Sequence, residues 1–161
     1  MLILSFNVRG FRGASKLLAL KNIFSSVSPD LIFLQETMVG HLKALEIFSK
    51  LCSSWCYVVV DSKGLSSGLL SGWNPKYGSF AAFRTCFGIL LEGRVTYFSH
   101  SVFVLNCYCP YKDWTSFWTG AKESGFLKSD HFILGGDLNF ILNAMEVWGD
   151  RVQLDPQAGF F

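Results

Sequence analysis

A single α/β domain, with two β-sheets stacked face to face and helices outside them, is the fold class that this sequence predicts. Three observations lead to it. The first fifty or so residues alternate buried-strand and amphipathic-helix patterns, the middle of the chain is a series of short strand patterns, and a helix and a buried strand follow near the end. This mixture of helix-flanked and hairpin-linked strands suggests an α/β sandwich in which sheet packs on sheet and the helices lie outside.

The N-terminal third predicts the order β-α-β-α. Leu2–Phe6 is a strand pattern, and Leu31–Leu34 is a second one. Ser28-Pro29 ends the helix between them, because a residue that precedes proline is pushed out of the α region. The two helices are predicted from apolar residues at helical spacing: Leu17, Leu20, Phe24 and Val27 in the first, and Leu42, Leu45, Phe48 and Leu51 in the second.

The rest of the chain predicts an antiparallel meander, then one helix and one strand. The predicted meander strands are Trp55–Val60, Leu65–Trp73, Phe80–Phe83, Cys86–Leu91, Val95–Phe98 and Val102–Tyr108. Asp113 is expected to cap the helix whose apolar face is Trp114, Phe117, Trp118 and Ala121. We interpret that face as core rather than as a platform for stacked bases. Phe132–Leu134 is the last buried strand.

The composition agrees with one compact domain. Of the 161 residues, 50% are hydrophobic and 16% are charged, which excludes disorder and a coiled coil. The net charge of +2 is too weak to indicate a nucleic-acid partner by itself. No apolar run approaches the ~18 residues of a membrane-spanning helix, so we expect no membrane partner.

The aromatic content predicts a core that is incomplete at the C-terminus. The chain has 16 phenylalanines and 5 tryptophans against few charges, and residues 155–161 end on two phenylalanines with no polar cap. We expect further chain to close this core. The isolated protein should therefore show an apolar surface, aggregate and bind a hydrophobic dye.

The cysteines and the first residues indicate an intracellular protein, nuclear or cytoplasmic. Five cysteines without a C-x-x-C pair predict free, mostly buried thiols in a reducing compartment. The N-terminus has no basic segment and too short an apolar stretch for a secretion signal.

Polar side chains follow three of the buried strands. Asn7 follows the first strand, Glu36 follows the second, and Asp137 and Asn139 follow the last; Tyr108 ends the meander. Ligands bind at the carboxyl ends of strands in layered α/β folds. Any one of these residues is more often a turn or cap residue, but their joint placement favours one site. Carboxylate and amide oxygens suit Mg²⁺ or Mn²⁺ that is also bound by water and by a phosphate.

Four motifs give these residues a family resemblance. They are Ser5-Phe6-Asn7-Val8-Arg9-Gly10, Leu34-Gln35-Glu36-Thr37, Asn106-Cys107-Tyr108-Cys109-Pro110 and Gly135-Gly136-Asp137-Leu138-Asn139. In order and spacing they resemble the motifs of the endonuclease/exonuclease/phosphatase superfamily over almost the whole chain. Their wording is most similar to the endonuclease domain of plant non-LTR (LINE-type) retrotransposons.

The resemblance implies that residues 1–161 are an endonuclease/exonuclease/phosphatase domain in its N-terminal portion, without the last strands. It implies a DNase I-like four-layer α/β sandwich of two mixed sheets, incomplete at the C-terminus, and metal-dependent hydrolysis of DNA. Glu36 would hold Mg²⁺ or Mn²⁺, with Asn7 beside it in the metal and phosphate network. Asp137 would orient or deprotonate the attacking water, Asn139 would bind the scissile phosphate, and Tyr108 would support the phosphate or leaving group. A cation and an aligned water are the two effects that this reaction needs.

Two departures from the family pattern matter. Many members carry a carboxylate where this chain has Arg9, so metal binding rests more on Glu36; Arg9 is a candidate phosphate contact. The family's later motifs, including a terminal Ser-Asp-His, are missing, which predicts impaired activity. Ser129-Asp130-His131 is no substitute, because the strand places His131 about 20 Å from Asp137.

If the protein is a retrotransposon endonuclease, a reverse transcriptase domain would follow it in the parent polyprotein. Two other functions remain open. One is a non-catalytic remnant that folds partly or binds nucleic acid without cutting it. The other is a phosphatase of small phosphoesters such as inositol phosphates or lipid headgroups, which the short loops and the N-V-R-G wording disfavour.

Overall fold

The computed structural model describes residues 1–61, 68–110, 113–141 and 145. Within these ranges the chain forms eight strands, three α-helices and a short 3₁₀ turn at Phe126–Lys128. The strands are β1 (Ile3–Asn7), β2 (Leu31–Gln35), β3 (Cys56–Val60), β4 (Leu69–Trp73), β5 (Gly78–Thr85), β6 (Gly88–Val95), β7 (Ser101–Tyr108) and β8 (Phe132–Asp137). The helices are α1 (Ala14–Val27), α2 (His41–Leu51) and α3 (Trp114–Glu123).

The strands form two mixed four-stranded sheets, as the sequence predicts. The first sheet has the order β1-β2-β4-β3, in which β1 and β2 are parallel and the other pairs antiparallel. The second has the order β5-β6-β7-β8, in which only β7 and β8 are parallel. Each parallel pair is joined through a helix, because a parallel connection must cross from one end of the sheet to the other.

Burial on both faces of the sheets produces four layers. Along β2, Leu31 and Phe33 pack between the two sheets, while Ile32 and Leu34 pack beneath α1 and α2. Helix α3 covers the outer face of the second sheet with Trp114, Trp118 and Ala121. The uninterrupted apolar pattern of β2 therefore reflects a central strand covered on both sides, and the predicted α/β sandwich is confirmed.

The meander differs from its prediction in two ways. It is divided between the sheets, since β3 and β4 belong to the first and β5, β6 and β7 to the second. The prediction of two separate strands at Cys86–Leu91 and Val95–Phe98 is wrong, because β6 is one strand that runs from Gly88 to Val95. Its polar centre reads as a break in the sequence, but Glu92 is exposed at a position that strand alternation turns outward. Part of the predicted strand Leu65–Trp73 lies outside the described residues.

Two helix predictions need correction. Helical spacing predicts Leu42 on the apolar face of α2, but it is 81% exposed, and the buried residues are Ala44, Ile47 and Phe48. Asp113 does precede α3, yet its side chain makes no capping hydrogen bond, because its backbone is left-handed with φ 60°. The predicted core role of the α3 aromatic face is confirmed, since Trp114 and Trp118 are buried.

Apolar side chains are exposed at one sheet edge. Leu2 and Phe6 are 47% and 44% exposed. Leu2 precedes β1 and Phe6 belongs to it, and among the described residues β1 pairs only with β2, on one side.

None of the helices in the described ranges is both long and apolar enough to cross a membrane.

The thiols divide into two reactivity classes. Cys52, Cys107 and Cys109 are buried and Cys56 and Cys86 are exposed, all of them free. Burial raises the pKa of Cys52 and Cys109 to about 11 and that of Cys107 to about 12. Since the thiolate is the reactive form, we expect two thiols to react rapidly with Ellman's reagent at pH 8 and all five after denaturation. Five rapid thiols in the native protein would contradict this burial pattern.

Candidate functional site

The polar motif residues lie at the carboxyl ends of two parallel strand pairs. Asn7 is the last residue of β1 and pairs in register with Gln35, the last residue of β2, which Glu36 follows. Tyr108 and Asp137 end β7 and β8 and are in register with each other. Each pair therefore presents its polar residues at a single sheet edge, as the sequence predicts.

Two hydrogen bonds join these edges across the two sheets. The Asn7 amide Nδ2 donates to Asp137 Oδ2 over 2.6 Å, although the residues are 130 positions apart. The Tyr108 hydroxyl donates to Glu36 Oε1 over 2.9 Å. A side chain of the second sheet thus contacts a side chain of the first at both places, and the four residues form one continuous polar cluster.

The backbone around Glu36 is held in an unusual conformation. Glu36 has a φ of 52°, a left-handed value that costs free energy for a residue with a side chain. The surrounding loops hold it there: the Gly10 N–H donates to the Glu36 carbonyl over 2.6 Å, and the Thr37 N–H donates to the Gly68 carbonyl over 3.1 Å. These bonds turn Glu36 out of the line of β2 and towards Tyr108.

Asp137 is fixed from both of its oxygens. Oδ2 accepts from Asn7, and Oδ1 accepts the backbone N–H of Asn139 over 3.0 Å. Asn139 is itself left-handed, with φ 51°, and its Nδ2 donates to the Cys109 carbonyl. The contact with Cys109 ties the loop after β8 to the chain after β7, and the two hydrogen bonds to Asp137 leave its carboxylate little freedom to rotate.

Glycine is required immediately before Asp137. Gly136 has a φ of 133°, and a Cβ there would lie 1.9 Å from the carbonyl oxygen of Cys107. Only a residue without a side chain allows β8 to approach β7 this closely. The second glycine of the Gly-Gly-Asp motif therefore lets β8 pair closely with β7 immediately before Asp137, which helps to fix the position of Asp137 at the sheet edge.

The structure gathers five of the six predicted site residues by side-chain or backbone contacts: Asn7, Glu36, Tyr108, Asp137 and Asn139. Arg9 is exposed, and its contact with the cluster is a backbone N–H that donates to Asn7 Oδ1 over 3.1 Å. The amide of Asn7 faces Asp137 and the Arg9 backbone, which supports an orienting role for it. The catalytic, metal and phosphate roles of the six residues stay predictions.

Ser129-Asp130-His131 lies away from this cluster. His131 immediately precedes β8, whereas Asp137 is the last residue of that strand, so the two lie at opposite ends of it. The His131 ring stacks on His100, with 5.0 Å between ring centroids. The tripeptide therefore lies at the far end of β8 from Asp137, as strand length predicts.

Sequence reasoning missed two buried amides behind the cluster. The side chains of Gln35 and Asn106 are 1% and 0% exposed, and Gln35 Nε2 donates to Asn106 Oδ1 over 2.8 Å. Asn106 Nδ2 donates to the Leu70 carbonyl and to Ser71 Oγ, while Gln35 Nε2 also contacts Ser5 Oγ at 3.2 Å. We call Gln35, Asn106 and Ser71 the buried amide network. A polar residue inside an otherwise apolar strand is the signal that could have indicated it.

The donors of the cluster fit a magnesium-type cation. The part of the chain that the structure describes contains no group of three or more His, Cys, Asp or Glu side chains placed to hold a metal. Glu36 uses Oε1 for Tyr108, and no described residue donates to its Oε2. A carboxylate with one such oxygen suits Mg²⁺ or Mn²⁺, which retain waters and take further ligands from a phosphate.

The neighbouring thiols do not belong to this donor set. Cys107 and Cys109 flank Tyr108 and pack beneath α3, on the opposite face of β7 from the tyrosine. Burial raises the pKa of both, and the nearby Asp137 charge adds to the rise. They are protonated at neutral pH, whereas a metal-binding thiol must be deprotonated.

Comparison with protein families gives one match over most of the chain. A model of the endonuclease/exonuclease/phosphatase family matches residues 4–152. No curated protein sequence matches the chain significantly.

Solved structures of similar fold are distant in sequence. The Xenopus laevis APE2 catalytic domain has a TM-score of 0.70 at 18% identity, with 100% of this chain covering 64% of that domain. The AP endonuclease LMAP from Leishmania major has a TM-score of 0.71 at 15% identity, with 92% of this chain covering 58% of it. Caenorhabditis elegans TDP2 has a TM-score of 0.59 at 22% identity, with 94% of this chain covering 49% of it. The chain thus spans about half to two thirds of these structures, and the likeness establishes a DNase I-like fold.

Proposed function

Because this chain belongs to the endonuclease/exonuclease/phosphatase family, we propose that it hydrolyses phosphodiester bonds of DNA with the help of a divalent cation, Mg²⁺ or Mn²⁺. The observation that carries the proposal is the polar cluster at the joined sheet edges. There a carboxylate held by two hydrogen bonds, Asp137, is in register with Tyr108, which contacts a second carboxylate, Glu36.

The cluster divides the work between the two carboxylates. When bound at Glu36, the cation supplies positive charge to the phosphate. Asp137 aligns the attacking water and accepts its proton, and the Asn7 amide and the Asn139 N–H keep that carboxylate in place. Tyr108 orients Glu36 and is in register with Asp137, and its proposed role is to support the phosphate or the leaving group. The exposed Arg9 side chain and the Asn139 amide are the proposed phosphate contacts.

We further propose that the activity is of the LINE-type retrotransposon class and that a reverse transcriptase belongs to the parent polyprotein. Support comes from the wording of the motifs around Asn7, Glu36 and Asp137. Such an enzyme acts on chromosomal DNA, which agrees with a nuclear, reducing location for a chain with five free thiols. TDP2, APE2 and LMAP resemble this chain in fold, and that likeness does not bear on the retrotransposon class.

The test is nicking of supercoiled plasmid DNA by the purified chain in Mg²⁺, in Mn²⁺ and in EDTA. No described histidine contacts Asp137, so we expect slow nicking that requires a cation and is abolished by Glu36→Gln. Fusing the C-terminal strands of a family relative should accelerate it. Inositol phosphates, offered in parallel, should remain intact.

Three results would each reject part of this proposal. Release of phosphate from inositol phosphates without DNA nicking would identify the phosphatase alternative. Nicking that persists in Glu36→Gln would show that Glu36 is not the residue that binds the cation. Nicking by neither the chain nor its extended form, at high protein concentration, would support the non-catalytic remnant.

A further inference from the structure

A groove of about 830 Å³ lies between α1 and α2, on the outer side of the first sheet. Its floor is apolar: Phe11, Val39 and Ile47 line it and are buried. Leu17 and Leu51 form its sides, and Leu18, at the rim, is 59% exposed. An exposed leucine above an apolar floor is the kind of surface that buries further area when a partner binds.

The groove has the length of two turns of helix. Helices α1 and α2 both follow strands of a parallel pair, so they run in the same direction from the edge that carries Asn7 and Glu36. Along α2 the groove extends from Lys43 to Leu51, eight residues further along the helix and therefore roughly 12 Å. An α-helix that docks there could place apolar residues i, i+3 or i+4, and i+7 on the floor.

The rim is basic. Arg12, Lys21, Lys43 and Lys50 line the groove with one acid, Glu46, which gives a net charge of +3. Lys43 and Lys50 each contact Glu46 at 2.7 Å, and these contacts lower the Glu46 pKa to about 2, so the acid stays ionised at neutral pH. Arg12 and Lys43 lie near the first turns of the two helices, and Lys21 and Lys50 lie further along them.

We propose that this groove binds an amphipathic helix of a protein partner. Its apolar face lies on the floor, and acidic residues at its two ends face Arg12 with Lys43 at one end of the groove and Lys21 with Lys50 at the other. The partner then lies beside the edge of the sheet that carries the polar cluster. Binding there is independent of the hydrolysis proposed above, because no groove residue belongs to that cluster.

Other occupants fit less well. A nucleic acid would satisfy the basic rim but leave the apolar floor without a matching surface. A membrane is flat, whereas this surface is a concave groove. A second copy of the chain lacks the charge pattern, since α1 carries no acidic residue, α2 carries only Glu46 and α3 carries only Glu123 among its described residues.

The experiment measures fluorescence anisotropy of a labelled synthetic peptide of about 14 residues, with Leu at i, i+3, i+4 and i+7 and Glu at both ends. A second peptide carries Lys for Glu. We expect the Glu peptide to bind at micromolar concentration, about tenfold or more tightly than the Lys peptide, and to be released by high salt. A labelled DNA oligonucleotide and anionic phospholipid vesicles serve as rival probes.

Variants assign the binding to the groove. Lys21→Glu with Lys50→Glu and, separately, Leu18→Asp should each weaken the Glu peptide about tenfold, whereas Glu46→Gln should tighten it. Lys122→Glu, an exposed residue of α3 at the other side of the sandwich, is the matched control and should change nothing. The substituted side chains are exposed or at the rim, and thermal unfolding confirms that each variant is folded.

The proposal is overturned if no peptide binds up to about 1 mM, if the Lys peptide binds equally well, or if the Lys122 control weakens binding as much as the groove variants do. It is also overturned if the oligonucleotide or the vesicles, and not the Glu peptide, respond to the groove variants.

Discussion

Asp137→Asn is expected to reduce the rate of DNA nicking by about 10²–10⁴, the usual cost of losing a general base. The charge is lost, and the two hydrogen bonds are compromised as well. Asp137 accepts from the Asn7 amide and from the Asn139 N–H, whereas an asparagine has only one accepting oxygen for these two donors. The measurement is the single-turnover nicking rate in saturating Mg²⁺, followed over long incubations because the wild-type rate is expected to be slow.

Asp130→Asn is the matched control for this variant. Asp130 belongs to the Ser-Asp-His tripeptide just before the opposite end of β8, so its loss should leave the nicking rate unchanged. DNA affinity, measured separately, should be similar in both variants, since neither change adds negative charge. Equal loss of activity in the two variants, or an Asp137→Asn rate close to that of wild type, would remove Asp137 from the chemistry.

Asn106→Leu is expected to lower the free energy of unfolding by about 2–4 kcal/mol, a large part of the 5–15 kcal/mol of an ordinary domain. Leucine has a similar volume but no polar atoms. Asn106 is fully buried and accepts from Gln35 while it donates to Ser71 and to the Leu70 carbonyl. Its replacement leaves those buried groups without their partner, and each such group costs about 1–3 kcal/mol. Urea denaturation measures the change.

Thr37→Val distinguishes a lost hydrogen-bond network from a mere change in the core. The Thr37 hydroxyl is also buried, but it has no hydrogen-bond partner among the described residues. Replacing it with a methyl group should therefore leave stability unchanged or raise it slightly. If Asn106→Leu cost no more than Thr37→Val, the buried amide network would not be what joins the two sheets behind the cluster.

Apolar periodicity was enough to predict most of the elements, because each strand and helix must bury a face of its own. The apolar segment Leu31–Leu34 is a strand, as predicted, and Ser28-Pro29 ends the preceding helix at the predicted place. Local patterns failed where burial is decided by a distant neighbour. Leu42 has the helical spacing of a core residue, yet it lies on the exposed side of α2 because Ala44, Ile47 and Phe48 are the residues that face the sheet.

The sequence by itself also placed Asn7, Glu36, Tyr108, Asp137 and Asn139 at strand ends, since strand ends are marked by the change from apolar to polar residues. Only the tertiary structure decided which of them contact one another. The pairs Asn7–Asp137, Glu36–Tyr108 and Gln35–Asn106 are separated by 130, 72 and 71 positions and join two different sheets. Their bonds depend on how the sheets stack and on which register each strand takes. These are properties of the whole core, and no local segment of the chain carries them.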